Sequence, residues 1–294
     1  MQILDGKLAS AAVLANLKNE VDKTLAQFGR APQLCALIVG NNPASESYLT
    51  SKAKGCAATG IKSTIVRLEA DVTESEFLNV ISKLNNDNTI DGLLIQFPLQ
   101  PQLDEKKAIE AINPSKDVDG LHPINAGKLA LGLPAFIPAT PLGIILLLKH
   151  FDIETKGKHA VVIGRSNLIG RPISILLSRN DTYGNATVTV CHSRTRHLKE
   201  ICASADIIIA ALGKPGFLTA DMIKAGATVI DVGINSVPDS TKKSGFSIKG
   251  DVAFEAVAQK CGSISPVPGG VGLMTIAAIL KNTITAFHNN NKTY

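Results

Sequence analysis

Apolar positions in the first half of the chain follow two alternating patterns. Residues 34–39 form a continuous apolar run of the length typical of a buried strand, 92–96 predicts another buried strand, and 63–68 predicts a short strand. Apolar residues recur at helical spacing before and between these strands, which predicts helices at 7–28, 44–59 and 73–85. The alternation predicts a parallel sheet with helices on its faces.

A second series of strands follows a break in this pattern. Residues 117–140 are rich in Gly and Pro and are predicted to form a loop, and a helix is predicted at 141–150. Further buried strands are then predicted at 159–163, 186–191, 206–211 and 228–232. We therefore predict an α/β fold of two domains, 1–140 and 141–271, each a mostly parallel sheet flanked by helices. The last helix, within 272–294, is predicted to pack back on the first domain.

The first strand of the second series ends in a glycine loop. Gly164 follows the strand, and Gly170 precedes a helix predicted at 172–179. Glycine lets the backbone turn tightly and approach a pyrophosphate, and a helix N-terminus offers free N–H groups to an anion. This context predicts a Rossmann-like unit that binds a dinucleotide. The spacing is G-x5-G rather than G-x-G-x-x-G, so an ordinary strand–helix turn is the alternative.

The end of the next strand indicates which dinucleotide is bound. NAD sites usually carry an Asp or Glu there for the ribose hydroxyls, whereas residues 191–196 read CHSRTR and contain no acid. With Arg165 in the glycine loop, this favours a 2′-phosphate and therefore NADP. Arg194 and Arg196 could contact the phosphate or could be solvated residues at a helix start.

A second set of polar residues lies in the first half of the chain. Tyr48 and Lys52 are four apart on one predicted helix and share a face, while Gln96 ends a buried strand. Asp119 begins the loop rich in Gly and Pro. These side chains could converge on one crevice, or each could be an ordinary core, surface or turn residue. Tyr-x3-Lys also occurs in short-chain dehydrogenases, but there it follows the dinucleotide loop within the same domain.

Composition narrows the class of partner and the compartment. The net charge is +5 and aromatic residues are 4%, with no dense basic block, so an anionic small molecule suits the chain better than a nucleic acid. The five cysteines are far apart and include no C-x-x-C pair, which argues against disulfides and a metal site. The start resembles no signal peptide, and the apolar run at 144–148 is too short to span a bilayer. A cytoplasmic protein without a membrane partner is expected.

Five motifs in sequence order resemble one family, the bifunctional methylenetetrahydrofolate dehydrogenase/cyclohydrolases. They are YLTSK at 48–52, QFPL at 96–99, KDVDG at 116–120, GRS at 164–166 and PVPGGVG at 266–272. Two positions depart from the family pattern: Leu273 stands where Pro is usual, and Ala139 where Cys is usual. The motifs cover nearly the whole chain, and we expect no fused formate–tetrahydrofolate ligase domain.

The resemblance implies two reactions and a role for each residue. Hydride passes from 5,10-methylenetetrahydrofolate to NADP+, and water then opens 5,10-methenyltetrahydrofolate to 10-formyltetrahydrofolate. In the family's terms Lys52 assists proton transfer, Gln96 tunes Lys52, Tyr48 orients the folate and Asp119 binds the pterin. The implied cofactor-binding residues are Gly164, Arg165, Ser166, Gly170, Ser193 and Ile234, and the folate pocket is edged by Pro268, Gly269 and Gly270. A cytoplasmic homodimer in one-carbon metabolism and purine biosynthesis is also implied.

Two other functions fit parts of the sequence. A shikimate dehydrogenase also places its substrate domain first, but that function gives no reason for Gln96 or for the Pro-Gly-Gly loop. An NADP-sensing binding protein with a decayed active site is the non-enzymatic alternative. Intact Lys52 and Gln96 argue against decay.

Overall fold

The computed structural model describes residues 1–242 and 245–291, and within them all side chains except those of 43–45 and 47. In these ranges the strands are β1 (Gln2–Ile3), β2 (Gln33–Val39), β3 (Lys62–Leu68), β4 (Gly92–Ile95), β5 (His159–Ile163), β6 (Thr187–Cys191), β7 (Ile207–Ala210), β8 (Thr228–Asp231), β9 (Asn235–Pro238), β10 (Phe246–Lys249) and β11 (Ser263–Ile264). The helices are α1 (Gly6–Phe28), α2 (Pro43–Thr59), α3 (Glu74–Asn86), α4 (Glu105–Ala111), α5 (Pro123–Ala130), α6 (Ala139–His150), α7 (Gly170–Ser178), α8 (Leu198–Ala203), α9 (Phe254–Ala258) and α10 (Val271–Asn290).

The chain divides into two compact units. The six-stranded unit comprises Met1–Ala11 and Thr140–Thr275, and the three-stranded unit comprises Ala12–Ala139 and Ile276–Tyr294. Helix α1 begins in the first of these units and ends in the second, and α10 does the same. The N-terminal residues thus belong with the six-stranded unit because β1 pairs with β11.

The three-stranded unit is built on a parallel sheet in the order β3-β2-β4. The central strand β2 is buried along nearly its whole length, which explains its uninterrupted apolar sequence. Helix α3 starts with a capping box between Thr73 and Glu76 and buries Phe77 and Ile81 against the sheet. This packing holds β2 and β4 in place. Polar residues follow the carboxyl ends of both strands.

The six-stranded unit contains a parallel sheet in the order β1-β11-β8-β7-β5-β6. Strand β5 pairs with β6 on one side and with β7 on the other, so the strand order reverses at β5. Ligands of open α/β sheets bind outside the carboxyl ends of the strands at such a reversal. The predicted class, two α/β domains with mostly parallel sheets flanked by helices, is therefore confirmed, and β9 and β10 form an additional antiparallel hairpin.

The predicted loop at 117–140 is wrong in its middle, where α5 (Pro123–Ala130) forms. The ring of His122 caps this helix by accepting a hydrogen bond from the backbone N–H of Ile124, and Pro123 occupies its first turn. The many Gly and Pro residues concealed this short helix. The sequence prediction also lacked α4, α9, the β9–β10 hairpin and the two-residue strands β1 and β11.

Helix α10 is long and apolar enough to cross a membrane by length and composition alone. Two-thirds (67%) of its most apolar stretch is buried inside the protein, as in the core helix of a globular protein. Its buried Asn282 donates hydrogen bonds to the carbonyl oxygens of Val118 and Ile137, at 2.8 and 3.0 Å. The five cysteines are also buried and unpaired. No group of His, Cys, Asp or Glu residues within the described ranges could hold a metal ion.

Candidate active site

The three-stranded unit contains a buried lysine on α2. Lys52 is only 5% exposed. Tyr48 lies one turn earlier on α2, and the Nζ of Lys52 is 4.5 Å from the centroid of its ring. The helix approaches α10 closely at Gly55, where a Cβ would lie 3.0 and 3.1 Å from Leu280 and Ile276. The spacing of four residues thus places an aromatic ring and an amine together.

Gln96 holds the lysine from the neighbouring strand. It directly follows β4, and its backbone N–H continues the ladder by donating to the carbonyl of Leu37 at 2.8 Å. Its Oε1 accepts a hydrogen bond from the Nζ of Lys52 at 3.0 Å, and its Nε2 donates to the carbonyl of Phe97 at 2.9 Å. The second bond fixes which end of the amide faces the amine.

Asp119 lies in a turn that a second carboxylate organises. Asp117 is buried and accepts hydrogen bonds from the backbone N–H of His122 and from the Nδ2 of Asn125, both at 2.8 Å. Gly120 has a φ of 72°, and a Cβ there would lie 2.6 Å from the backbone N of Pro138. Asp119 itself is half-buried, and its backbone carbonyl accepts a hydrogen bond from the N–H of Ala139 at 3.2 Å.

The charges of Lys52 and Asp119 influence each other. Burial lowers the pKa of Lys52, and the negative charge of Asp119 opposes that shift. Burial raises the pKa of Asp119, the charge of Lys52 lowers it, and the charge of Asp117 raises it. The result is an amine that loses its proton more readily than an ordinary lysine, which suits proton transfer near neutral pH.

A separate cavity of about 390 Å³ lies at the carboxyl end of β5 in the six-stranded unit. Four of the predicted cofactor residues line it, namely Gly164, Arg165, Ser166 and Ser193. The loop leads into the N-terminus of α7, which is the positive end of the helix dipole, and the N-cap Ile169 makes no side-chain capping bond to any described residue. Arg194 and Arg196 are exposed and are not among the described residues that line the cavity.

Both glycines of the loop are required by close backbone approach. Gly164 has a φ of 137°, and a Cβ on it would lie 2.3 Å from the carbonyl oxygen of Ala211. A Cβ on Gly170 would lie 2.2 Å from the carbonyl oxygen of Gly164. The loop therefore folds back on itself and leaves a cradle that a dinucleotide phosphate fits. Gly170 shapes this cradle without lining the cavity.

The sequence interpretation missed several residues of this cavity. Leu212, Lys214 and Phe217 line it from the segment that follows β7. His192 and Thr195 line it beside Ser193. The signal was present in the sequence, because 212–217 follow a predicted strand at the same edge of the sheet as the glycine loop.

The remaining predicted residues share a second cavity of the same unit, with a volume of about 240 Å³. Ile234 lines it together with Pro268, Gly269 and Gly270. Gly6 helps to hold this loop, since its backbone N–H donates a hydrogen bond to the carbonyl of Gly269 at 2.8 Å. Leu273, which departs from the family pattern, is in the first turn of α10 and also lines the cavity.

Known proteins resemble the chain along its whole length. The model of the tetrahydrofolate dehydrogenase/cyclohydrolase catalytic domain matches residues 4–119, and the model of the NAD(P)-binding domain of the same family matches 138–291. A bifunctional protein FolD from Porphyromonas gingivalis is 52% identical over 285 residues, which are 97% of this chain and 96% of the relative.

Solved structures agree with this assignment. The bifunctional FolD enzyme of Campylobacter jejuni is 46% identical with a TM-score of 0.91, over 98% of this chain and 99% of that one. The Trypanosoma brucei methylenetetrahydrofolate dehydrogenase-cyclohydrolase, solved with NADP cofactor and an inhibitor, is 35% identical with a TM-score of 0.92, over 99% and 98%. The shikimate dehydrogenase alternative is therefore wrong. The chain belongs to the tetrahydrofolate dehydrogenase/cyclohydrolase family.

Proposed function

We propose that Lys52, Gln96, Tyr48 and Asp119 carry the chemistry of an NADP-dependent methylenetetrahydrofolate dehydrogenase and methenyltetrahydrofolate cyclohydrolase. The enzyme oxidises 5,10-methylenetetrahydrofolate to 5,10-methenyltetrahydrofolate and hydrolyses that product to 10-formyltetrahydrofolate. The observation that carries the proposal is a buried amine, 5% exposed, that is held 3.0 Å from the carbonyl oxygen of Gln96. An ordinary surface lysine has neither property.

The hydrolysis uses Lys52 first as a base and then as an acid. Water adds to the cationic carbon between N5 and N10, and the neutral amine accepts the proton that the water loses. The C–N5 bond then breaks, the ammonium returns a proton to N5, and the carbinol O–H loses its proton to solvent as the formyl C=O forms. One proton is released overall. A cationic substrate disfavours the ammonium form further, which helps to keep the amine neutral when water attacks.

The oxidation requires alignment more than proton transfer. The methylene carbon loses a hydride, and the adjacent nitrogen lone pairs stabilise the cation that remains. NADP+ supplies the hydride acceptor when it is bound. Gly164, Arg165, Ser166, Gly170, Ser193 and Ile234 would hold it. The cationic Arg165 and the absence of an acid at the end of β6 suit a 2′-phosphate.

Tyr48 and Asp119 bind the folate in this proposal. Tyr48 stacks on and orients it, and the carboxylate of Asp119 accepts hydrogen bonds from the pterin N–H groups. We also propose Pro268, Gly269 and Gly270 as folate-binding residues, because the two glycines have no side chains and leave room for a ligand. We propose that the three-stranded unit performs the folate chemistry and that the six-stranded unit binds the nucleotide. The boundaries at 1–140, 141–271 and 272–294 stay predictions, and residues 292–294 lie outside the described part.

Gln96→Glu tests how Gln96 tunes the lysine. A carboxylate beside Nζ stabilises the ammonium form and raises the pKa of Lys52. Because hydrolysis begins with the neutral amine, we expect the cyclohydrolase rate at neutral pH to fall by about tenfold, which corresponds to a pKa shift of about one unit. The hydrolysis rate should increase with pH as Lys52 loses its proton, and in the variant this increase should occur at higher pH. The measurement is the rate of methenyltetrahydrofolate hydrolysis against pH.

The exposed Gln102 provides the matched control for this variant. Its amide donates to the carbonyl of Ala70 at 2.7 Å, away from Lys52, so Gln102→Glu should leave the pH profile in place. An unchanged profile in Gln96→Glu would show that Gln96 does not tune the lysine.

The assembly and the compartment are also proposals. We propose a homodimer that forms through the six-stranded unit, where β6 is an edge strand and Val190 on it is 39% exposed. Five buried, unpaired cysteines fit the reducing cytoplasm. Light scattering on the purified protein should give twice the chain mass of 30.9 kDa.

Two assays test the bifunctional proposal. Added 5,10-methenyltetrahydrofolate should lose its absorbance faster with enzyme than without it, in the absence of any nucleotide. 5,10-Methylenetetrahydrofolate should yield NADPH from NADP+, and NAD+ should be the poorer acceptor. An intact protein that binds NADP+ but catalyses neither reaction would restore the NADP-sensing alternative.

A further inference from the structure

A buried carboxylate behind the nucleotide cavity takes no part in the chemistry proposed above. Asp251 is fully buried, with 0% exposure. Its Oδ2 accepts hydrogen bonds from the backbone N–H groups of Leu212 and Gly213, at 2.5 and 2.9 Å. Its Oδ1 accepts one from the backbone N–H of Lys214 at 2.8 Å. One carboxylate therefore fixes three successive peptide groups.

These three peptides form part of the wall of the nucleotide cavity. Leu212 and Lys214 line it together with Arg165. The preceding residue, Ala211, places its carbonyl oxygen 2.3 Å from the position that a Cβ on Gly164 would take. Because the wall touches the glycine loop this closely, a displacement of 212–214 would change the shape of the cavity.

A second carboxylate holds Asp251 in turn. Asp231 ends β8, and it accepts hydrogen bonds from the backbone N–H groups of Asp251 and Val252, at 2.8 and 3.0 Å. A Cβ on Gly250 would lie 1.8 Å from the Oδ2 of Asp231, and one on Gly233 would lie 2.4 Å from the Oδ1 of Asp251. Glycine is thus required at both places where a carboxylate meets the backbone.

Two buried carboxylates so close together are unfavourable unless donors surround them. Burial raises the pKa of Asp231 to about 6, and the charge of Asp251 acts in the same direction. The donors that compensate are mainly the backbone N–H groups of the segments the carboxylates organise. The arrangement therefore favours one conformation of those segments over alternatives that leave a carboxylate unpaired.

The same carboxylate is connected to the second cavity. The Nδ2 of Asn235 donates to the Oδ1 of Asp251 at 2.9 Å and to the carbonyl of Lys249 at 3.1 Å. Asn235 begins β9 and directly follows Ile234, which lines that cavity with the Pro-Gly-Gly loop. Asp251 thus contacts the segments that shape the two cavities described above.

We propose that Asp251 is a positioning residue for the nucleotide: it holds 212–214 in the conformation that accepts NADP+, and through Asn235 it holds Ile234. The inference rests on the proposed function, which assigns NADP+ to this cavity. It adds a determinant of nucleotide affinity that does not itself touch the ligand.

Asp251→Asn tests the proposal. The amide keeps the shape of the side chain but turns an NH₂ donor toward backbone N–H donors, which breaks part of the network. We expect the Kd for NADP+, measured by isothermal titration calorimetry, to rise about tenfold, or about 1.4 kcal/mol. Hydrolysis of added methenyltetrahydrofolate needs no nucleotide and should stay within about twofold. The KM for NADP+ should rise with the Kd, while the KM for methylenetetrahydrofolate should not.

Two further variants separate positioning from general damage. Asp206→Asn changes another carboxylate of the same unit, one that accepts a hydrogen bond from the backbone N–H of His159 at 2.9 Å. Asp206 is not among the described lining residues of the nucleotide cavity or of the cavity that Ile234 lines. This variant should leave the Kd unchanged. Asn235→Ala removes one donor to Asp251 and should raise the Kd by a smaller factor, so it carries the test if Asp251→Asn does not fold.

Wild-type affinity in Asp251→Asn, or in Asn235→Ala when the first variant is unfolded, would overturn the proposal. A loss of affinity in Asp206→Asn equal to that in Asp251→Asn would overturn it as well. A wild-type protein that does not bind NADP+ would instead contradict the proposed function.

Discussion

The Lys52→Met variant is expected to lose cyclohydrolase activity by a factor of about 10²–10⁴, the usual contribution of a positioned acid–base group. Met nearly preserves the volume of the buried side chain, so the helix packing around it should persist. The amine that accepts the water proton and returns a proton to N5 is gone. The measurement is the decay of methenyl absorbance after subtraction of the spontaneous rate.

Two further substitutions show whether this loss is specific. Lys54 is exposed on the same helix, and Lys54→Met should keep full cyclohydrolase activity. In Lys52→Gln an uncharged amide that can donate hydrogen bonds replaces the amine, so much of the dehydrogenase activity should remain while hydrolysis is lost. Wild-type hydrolysis in Lys52→Met would contradict the role given to this residue.

The Arg165→Ala variant is expected to raise the KM for NADP+ by about 100-fold. A guanidinium can donate two charge-assisted hydrogen bonds to a phosphate, and a loss of about 2.7 kcal/mol is within the range of two such bonds. The residue lines the nucleotide cavity of the six-stranded unit. Initial rates of NADPH formation at varied NADP+ give the KM for NADP+, and those at varied methylenetetrahydrofolate give the KM for the folate.

The comparison between nucleotides makes this test specific. NAD+ lacks the 2′-phosphate, so its KM should change little in Arg165→Ala, and the preference for NADP+ should shrink. Arg171 is the matched control, since it is exposed on α7 and donates to the side chain of Asn167 at 2.9 Å. An equal rise of the KM for NADP+ and for the folate would show that Arg165 does not read the phosphate.

The sequence predicts well those features that depend on strand ends. Gln96 and Gly164 each follow a continuous apolar run, and parallel sheets place ligands at that edge. The contact between Lys52 and Tyr48 follows from their helical spacing. The bond between Lys52 and Gln96 could be anticipated only as convergence, because its length depends on how α2 packs against the sheet.

Features that depend on contacts between residues distant in sequence cannot be predicted from the spacing of apolar and polar residues. Asp251 and Leu212 are 39 residues apart, and neither lies in a periodic element that would indicate their hydrogen bond. Strands β1 and β11 have two residues each, too few for an alternation to be visible. Helix α5 is concealed because local capping by His122 outweighs the low helix propensity of its Pro and Gly.

We propose that one enzyme performs an oxidation that needs NADP+ and a hydrolysis that needs Lys52. The most direct test of this proposal follows NADPH and the methenyl band together after wild-type enzyme and Lys52→Gln are each mixed with 5,10-methylenetetrahydrofolate and NADP+. We predict that both form NADPH, and that methenyltetrahydrofolate accumulates with Lys52→Gln but is consumed by the wild type. Equal consumption of the methenyl product by the two enzymes would contradict the role proposed for Lys52 in hydrolysis.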